Sequence, residues 1–234
     1  MKTAGNDLSG RLEAVAGTVE KCEKCLDIGC DHGYTAVALV SRGVAKSALC
    51  TDINEGPLNA ARANIDAAGL SESIGTRLSD GLHNISLGDG ADAAVIAGMG
   101  GALTCRILSG NSDVVRSLKQ LVLQPQSELF LVRAKVRDMG FHIVSEKFLE
   151  DAGKYYYVMD VRPGSGEDDG ELTDLYDRYS KYLIASRDPL YVEYIKRSIE
   201  TCEGYLSNLG SSSKSDLPEK IQDLKKVLSM MTGE

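Results

Sequence analysis

Cys25-Leu26-Asp27-Ile28-Gly29-Cys30-Asp31-His32-Gly33 is the stretch that decides the fold of this chain. Leu26 and Ile28 form a short apolar run, glycines stand at 29 and 33, and helix-forming residues resume at Tyr34. That order predicts a strand, a tight turn and the first turn of a helix. A glycine turn lets backbone N–H groups approach a ligand that a Cβ would push away. Nineteen residues past Gly33, Asp52 closes a second apolar run, Ser47-Ala48-Leu49-Cys50-Thr51, and Ile53 and Asn54 follow it. An acid at that place can accept from both hydroxyls of a ribose lying over the first turn, so a nucleoside-containing cofactor is the expected ligand.

Working outward, the alternation continues. Apolar strand-like runs fall near 25–28, 47–51, 74–78, 91–97, 120–124, 141–149 and 155–162, with helical stretches at 34–42, 55–68, 101–109 and 127–139. Strand following helix in this way predicts a doubly wound α/β fold, a parallel sheet with helices on both faces. The last two runs have no helix between them. Glu150-Asp151-Ala152-Gly153-Lys154 reads as the turn of an antiparallel hairpin that closes the sheet. Before the first strand, Leu8, Arg11, Leu12, Val15, Ala16 and Val19 recur at helical spacing, with Ser9 placed to cap.

After Pro163 the composition changes. Gly164-Ser165-Gly166-Glu167-Asp168-Asp169-Gly170 is an acidic, glycine-bearing connector, which divides the chain into 1–163 and 164–234. Beyond it, apolar and tyrosine residues recur at three and four: Leu172, Leu175, Tyr176, Tyr179, Tyr182 and Leu183, then Tyr191, Tyr194, Ile195, Ile199 and Cys202. Gly210-Ser211-Ser212-Ser213 interrupts the run, and Leu217, Ile221, Leu224, Val227, Leu228 and Met231 resume it. Two long helices joined by a serine-rich turn form the expected second domain, an α-helical hairpin of coiled-coil character. Its tyrosine row reads first as packing and second as a stacking surface for bases.

The 234 residues are 43% hydrophobic and 26% charged, ample for a core. No apolar run reaches the roughly 20 residues of a membrane span. The first residues lack an apolar signal segment, and six scattered cysteines read as reduced thiols, so a cytoplasmic protein is expected. Net charge is −8, with acids in excess on both sides of Gly164, so a nucleic-acid partner has to meet a local basic patch. Cys22-Glu23-Lys24-Cys25 has the spacing of half a zinc site, but no second pair completes it, and no metal is expected.

The chemistry of the first turn separates two cofactors. A pyrophosphate wants three glycines in close approach, whereas only Gly29 and Gly33 are present and Asp31 stands inside the loop. Asp27 precedes the turn, and Asp80 and Gly81 follow the third strand, where an acceptor can read an adenine amine. A ring of carboxylates repels a polyanion and suits the cationic sulfonium of S-adenosylmethionine. The fourth strand runs into Ala97-Gly98-Met99-Gly100-Gly101, three glycines at a strand's carboxyl end beside the switch point of the sheet, the expected floor of an active site. His32 is a loop histidine suited to proton transfer. Gln124 and Gln126 put two amides at the same edge, able to line the pocket or bond a base.

With these residues in place, the chain resembles the bacterial tRNA (adenine(22)-N(1))-methyltransferase family over nearly its whole length. The resemblance rests on Leu8-Ser9-Gly10-Arg11-Leu12-Glu13-Ala14-Val15-Ala16, Asp27-Ile28-Gly29-Cys30-Asp31-His32-Gly33-Tyr34, Ile96-Ala97-Gly98-Met99-Gly100-Gly101, Leu123-Gln124-Pro125 and Asp151-Ala152-Gly153-Lys154-Tyr155-Tyr156. It implies a Rossmann-like methyltransferase sheet and methyl transfer from S-adenosylmethionine to N1 of an adenine in the D-loop region of tRNA. Cofactor contacts are then expected from Asp27, Gly29, Cys30, Asp31, Gly33, Tyr34, Asp52, Ile53, Asn54, Asp80, Gly81, Ala97, Gly98 and Met99. Asp31, with His32 assisting, is expected to orient the adenine amine or take its proton. Arg11, Gly100, Gly101, Gln124, Arg133, Lys135 and Arg137 are the expected substrate contacts. The competing readings are a methyltransferase acting on protein or a small molecule, and a non-catalytic module that senses the cofactor and binds RNA.

Overall fold

The computed structural model describes residues 8–208 and 216–233. The serine-rich turn expected at Gly210–Ser213 therefore lies outside the described residues. The chain divides into two compact units, with the boundary between Glu167 and Asp168.

In the first unit, Ser9 caps helix α1 (Gly10–Ala16) by accepting from the Leu12 N–H. Strands β1 (Cys22–Ile28), β2 (Ala45–Asp52), β3 (Ile74–Leu78), β4 (Ala93–Met99) and β5 (Gln120–Pro125) are mutually parallel, each joined to the next through helical segments. The connecting helices are α2 (Tyr34–Ser41), α3 (Glu55–Ala67), α4 (Gly101–Gly110), α5 (Ser112–Ser117) and α6 (Leu129–Asp138). β6 (Phe141–Asp151) and β7 (Lys154–Pro163) form the antiparallel hairpin expected from the 150–154 turn, and β7 docks antiparallel on β5. The sheet order is β3-β2-β1-β4-β5-β7-β6.

Right-handed crossovers oblige the helices to change face where the strand order reverses, between β1 and β4. On one face, Val15, Ala16 and Val19 pack with Cys25, Leu39, Val95, Val122 and Val158. Continuing along it, Ala36, Val37, Leu58, Ala61 and Ile65 cover Ala48, Cys50 and Ile74. The residues alternating with these on the strands, Leu26, Ile28, Ala94, Ile96, Leu121 and Leu123, are equally buried. A sheet buried on both faces explains why its strands read as near-continuous apolar runs. The reversal leaves a crevice at the carboxyl ends of β1, β2 and β4, where ligands of such sheets lie.

The second unit holds α7 (Thr173–Tyr179), α8 (Lys181–Ser186), α9 (Pro189–Asn208) and α10 (Leu217–Thr232). α9 and α10 pack as a helical hairpin over Ile195, Ile199, Cys202, Ile221, Leu224, Val227 and Met231. The tyrosine row is mainly packing: Tyr191 is buried and donates to the Tyr179 carbonyl at 3.2 Å, while Tyr176, Tyr179, Tyr182 and Tyr194 are half-buried. The periodic run 172–183 is two helices, broken at Ser180, whose φ is 43° and whose Oγ accepts from the Leu183 N–H.

Candidate active site

The turn after β1 is built from left-handed residues. Gly29, Asp31 and Gly33 have φ of 70°, 51° and 71°. The N–H groups of Gly29 and Cys30 both donate to the Thr51 carbonyl, at 2.8 and 3.0 Å, tying the turn to the end of β2. A Cβ on Gly29 would lie 2.0 Å from the Met99 Cε, and one on Gly33 would lie 3.1 Å from the Ala61 Cβ. Asn64 on α3 holds the loop from outside by donating to the His32 carbonyl at 2.9 Å.

Above this turn opens a cavity of about 390 Å³. Of the expected cofactor residues, Asp27, Gly29, Cys30, Asp31, Tyr34, Asp52, Asn54, Ala97, Gly98 and Met99 line it, together with His32 and Arg11. Asp27 is 5% exposed and, among the described residues, accepts from the Ala36 N–H alone, at 3.3 Å. Burial raises its pKa to about 7, against the opposing pull of that bond. Asp52 accepts from the Asn54 N–H at 2.9 Å, which fixes the carboxylate at the end of β2. Asp31 reaches the rim with its side chain 74% exposed, and His32 Nε2 lies 3.5 Å from its Oδ1. The His32 ring stacks on Tyr34 with centroids 5.5 Å apart.

The floor is a bulge. The β4–β5 register shifts between Ala97 and Met99, and Gly98 there has φ 80°. Gln124 lies beneath the bulge, fully buried, so it does not line the cavity as a base contact would. Its Oε1 accepts from the Gly98 N–H at 3.1 Å and from Arg11 Nη1 at 2.8 Å. Gln126 is the amide that reaches the cavity.

Several expected contacts stand elsewhere. Gly100 and Gly101 serve packing: a Cβ on Gly101 would lie 2.5 Å from the Ser127 carbonyl oxygen, so the glycine lets α4 start against the 127–128 turn. The Ala102 N–H there donates to Glu128 at 3.1 Å. Asp80 and Gly81 are outside the cavity lining, and Asp80 is held by Arg106 in two bonds of 2.9 Å. Gly33 and Ile53 are likewise not part of the lining; Ile53 is exposed.

Arg133 is not a surface cation. It is 4% exposed and doubly bonded to Glu146 at 2.9 and 2.8 Å. Lys135 and Arg137 occupy the last turn of α6. Neither side chain is part of the cavity lining. Leu12, Thr35 and Pro57 also line the cavity and were missed. Leu12 reads as one more member of an apolar stripe, and only adjacency to Arg11 and Tyr34 could have marked Leu12 and Thr35.

Among the described residues no cluster of three His, Cys, Asp or Glu side chains could hold a metal ion, and no helix is long and apolar enough to cross a membrane. The cysteines, the Cys22–Cys25 pair included, are free thiols. The cavity's donor set comprises three carboxylates, one arginine and glycine-lined backbone. It suits a nucleoside that carries a sulfonium and an amino-acid zwitterion, and it opposes a pyrophosphate.

Fold and cavity together define a Rossmann-like methyltransferase, and residues 8–159 match the sequence model described as a methyltransferase domain. The tRNA (adenine(22)-N(1))-methyltransferase of Bacillus subtilis (strain 168) is 28% identical over 226 residues, 96% of this chain and 94% of that protein. The crystal structure of Streptococcus pneumoniae Sp1610, described as a candidate tRNA (m1A22) methyltransferase, in complex with S-adenosyl-L-methionine, is 35% identical. It superposes with a TM-score of 0.85 over 95% of this chain and all of that one. The structure of the B. subtilis m1A22 tRNA methyltransferase matches with a TM-score of 0.83 at 26% identity, covering 95% of this chain and 99% of its own. This chain belongs to the tRNA (adenine(22)-N(1))-methyltransferase family.

Proposed function

We infer that this protein transfers a methyl group from S-adenosylmethionine to N1 of adenine 22 in tRNA, in the cytoplasm where that substrate resides. The observation that carries the reading is the cavity at the ends of β1, β2 and β4, whose donors match each polar end of the cofactor. When bound, S-adenosylmethionine supplies an electrophilic methyl group on a cationic sulfur. Asp52 accepts from the ribose hydroxyls, and Asp27 faces the α-ammonium. The left-handed glycines of the turn after β1 and of the bulge at Gly98 would present bare backbone to the chain of the cofactor.

Neutral adenine exposes its N1 lone pair once unpaired, so orientation within the cavity supplies most of the rate. A paired or stacked base must be extruded to reach it. Asp31, exposed on the rim, accepts from the exocyclic amine and balances the positive charge the base acquires, with His32 beside it to pass a proton to solvent. The unit through Glu167 holds the cavity and is assigned the cofactor and the chemistry.

Incubation with methyl-labelled S-adenosylmethionine, total tRNA and a protein extract tests this reading. Label is expected in tRNA alone. Label in protein would establish the competing enzyme, and saturable cofactor binding without transfer would establish the sensing module.

A further inference from the structure

We propose that Arg11 binds the carboxylate of the cofactor's methionine moiety, with Gln124 as the positioning residue that aims it. The proposal rests on the cofactor assignment above and changes the role expected of Arg11, from meeting tRNA to holding the cofactor.

The sheet order fixes which end of the ligand lies where. A ribose held by Asp52, at the end of β2, would leave the rest of the cofactor to cross β1 toward β4, the next strands in the sheet order. There the lining carries Arg11 and Gly98. Among the described residues Arg11 is the one lysine or arginine in the lining, which also carries the carboxylates of Asp27, Asp31 and Asp52. An α-carboxylate entering that acidic cavity without a cation would be desolvated among like charges.

The guanidinium is held at one side only. Nη1 donates to Gln124 Oε1 at 2.8 Å, and the group lies over the Tyr156 ring at 5.8 Å from its centroid. The Arg11 backbone N–H donates to Asp151 at 2.9 Å, anchoring the start of α1 to the tip of the β6–β7 hairpin. At the floor, Gly98 has φ 80°, and a Cβ there would lie 3.6 Å from Nη1, in ordinary contact with the guanidinium. The clamp is an amide and not a carboxylate, so it fixes direction without consuming charge. Arg133, by contrast, is neutralised by Glu146 in two bonds. Arg11 has no such carboxylate among the described residues, and its remaining N–H donors are available to an anion.

Calorimetry on the full chain with two ligands tests this. S-adenosylmethionine has the carboxylate; its decarboxylated analogue keeps the sulfonium and ammonium but lacks it. Arg11→Met is expected to weaken S-adenosylmethionine by about 10- to 100-fold and to leave the analogue within about twofold of wild type. Gln124→Leu should show the same ligand selectivity with a smaller loss, about 2- to 10-fold, and Arg11→Lys should fall between, which covers a Met variant that fails to fold. Equal loss for both ligands would make Arg11 merely structural and overturn the proposal. So would unchanged cofactor affinity with a raised KM for tRNA and a shallower salt dependence, which would return Arg11 to the tRNA. Wild-type protein that binds neither ligand would instead refute the cofactor assignment itself.

Discussion

Asp27, next to last in β1, is buried with a backbone N–H on its carboxylate, and burial raises its pKa to about 7 in the folded chain. A carboxyl pKa raised by folding favours the folded state fully at pH below the unfolded value near 4. That contribution is lost as pH climbs to about 7 and is constant above it. The unliganded protein is therefore expected to lose stability between pH 4 and 7 through this group, and Asp27→Asn should flatten that part of a denaturation-against-pH profile. Cofactor affinity runs the other way, because an ammonium selects the ionised acid. Binding should weaken by up to about tenfold per pH unit below 7 in wild type, and much less in Asp27→Asn. On the rim, Asp31→Ala is expected to cut turnover at least about 100-fold while calorimetry finds most of the cofactor affinity intact. Both acids were legible in the sequence because their places beside Gly29 and Gly33 imply their surroundings. Arg133 was not: its partner Glu146 lies on another element, and nothing local distinguishes a buried, paired arginine from a solvated one.

Elements were legible where the hydrophobic period was long and the punctuation strong. All seven strands and the helices after the glycine turns lie where periodicity expects them, because a sheet covered on both faces demands continuous apolar runs. Short pieces escaped. α5 spans only Ser112–Ser117, and the α7–α8 break at Ser180 involves neither glycine nor proline. The glycines at the end of β4 divide by element in a way sequence could not resolve: Gly98 belongs to the bulge in the floor, Gly101 to the seat of α4. Gly101→Ala pushes a Cβ into two backbone carbonyls, at 2.5 and 2.7 Å, neither of which can swing aside. It should cost about 1–3 kcal/mol and lower the unfolding midpoint by several degrees in a thermal melt. Glu146→Gln, which removes the charge facing Arg133 in the interior, should cost about 3–5 kcal/mol in denaturant titration, more than Gly101→Ala.

For the whole molecule, an excess of acid over base on both sides of Gly164 leaves tRNA affinity to local cations, so binding should weaken steeply with added salt. The chain divides into its two units between Glu167 and Asp168. Ending the chain at Glu167 should preserve cofactor binding by calorimetry while lowering kcat/KM for tRNA. The acidic connector 164–170 spans that boundary, whereas what the helical unit recognises has no motif to mark it. Mass spectrometry of an unmodified tRNA transcript incubated with the protein and S-adenosylmethionine should find 1-methyladenosine at position 22, and no methylation when that adenine is replaced by guanine. Methylation at another position, or undiminished methylation of the replaced transcript, would contradict the account.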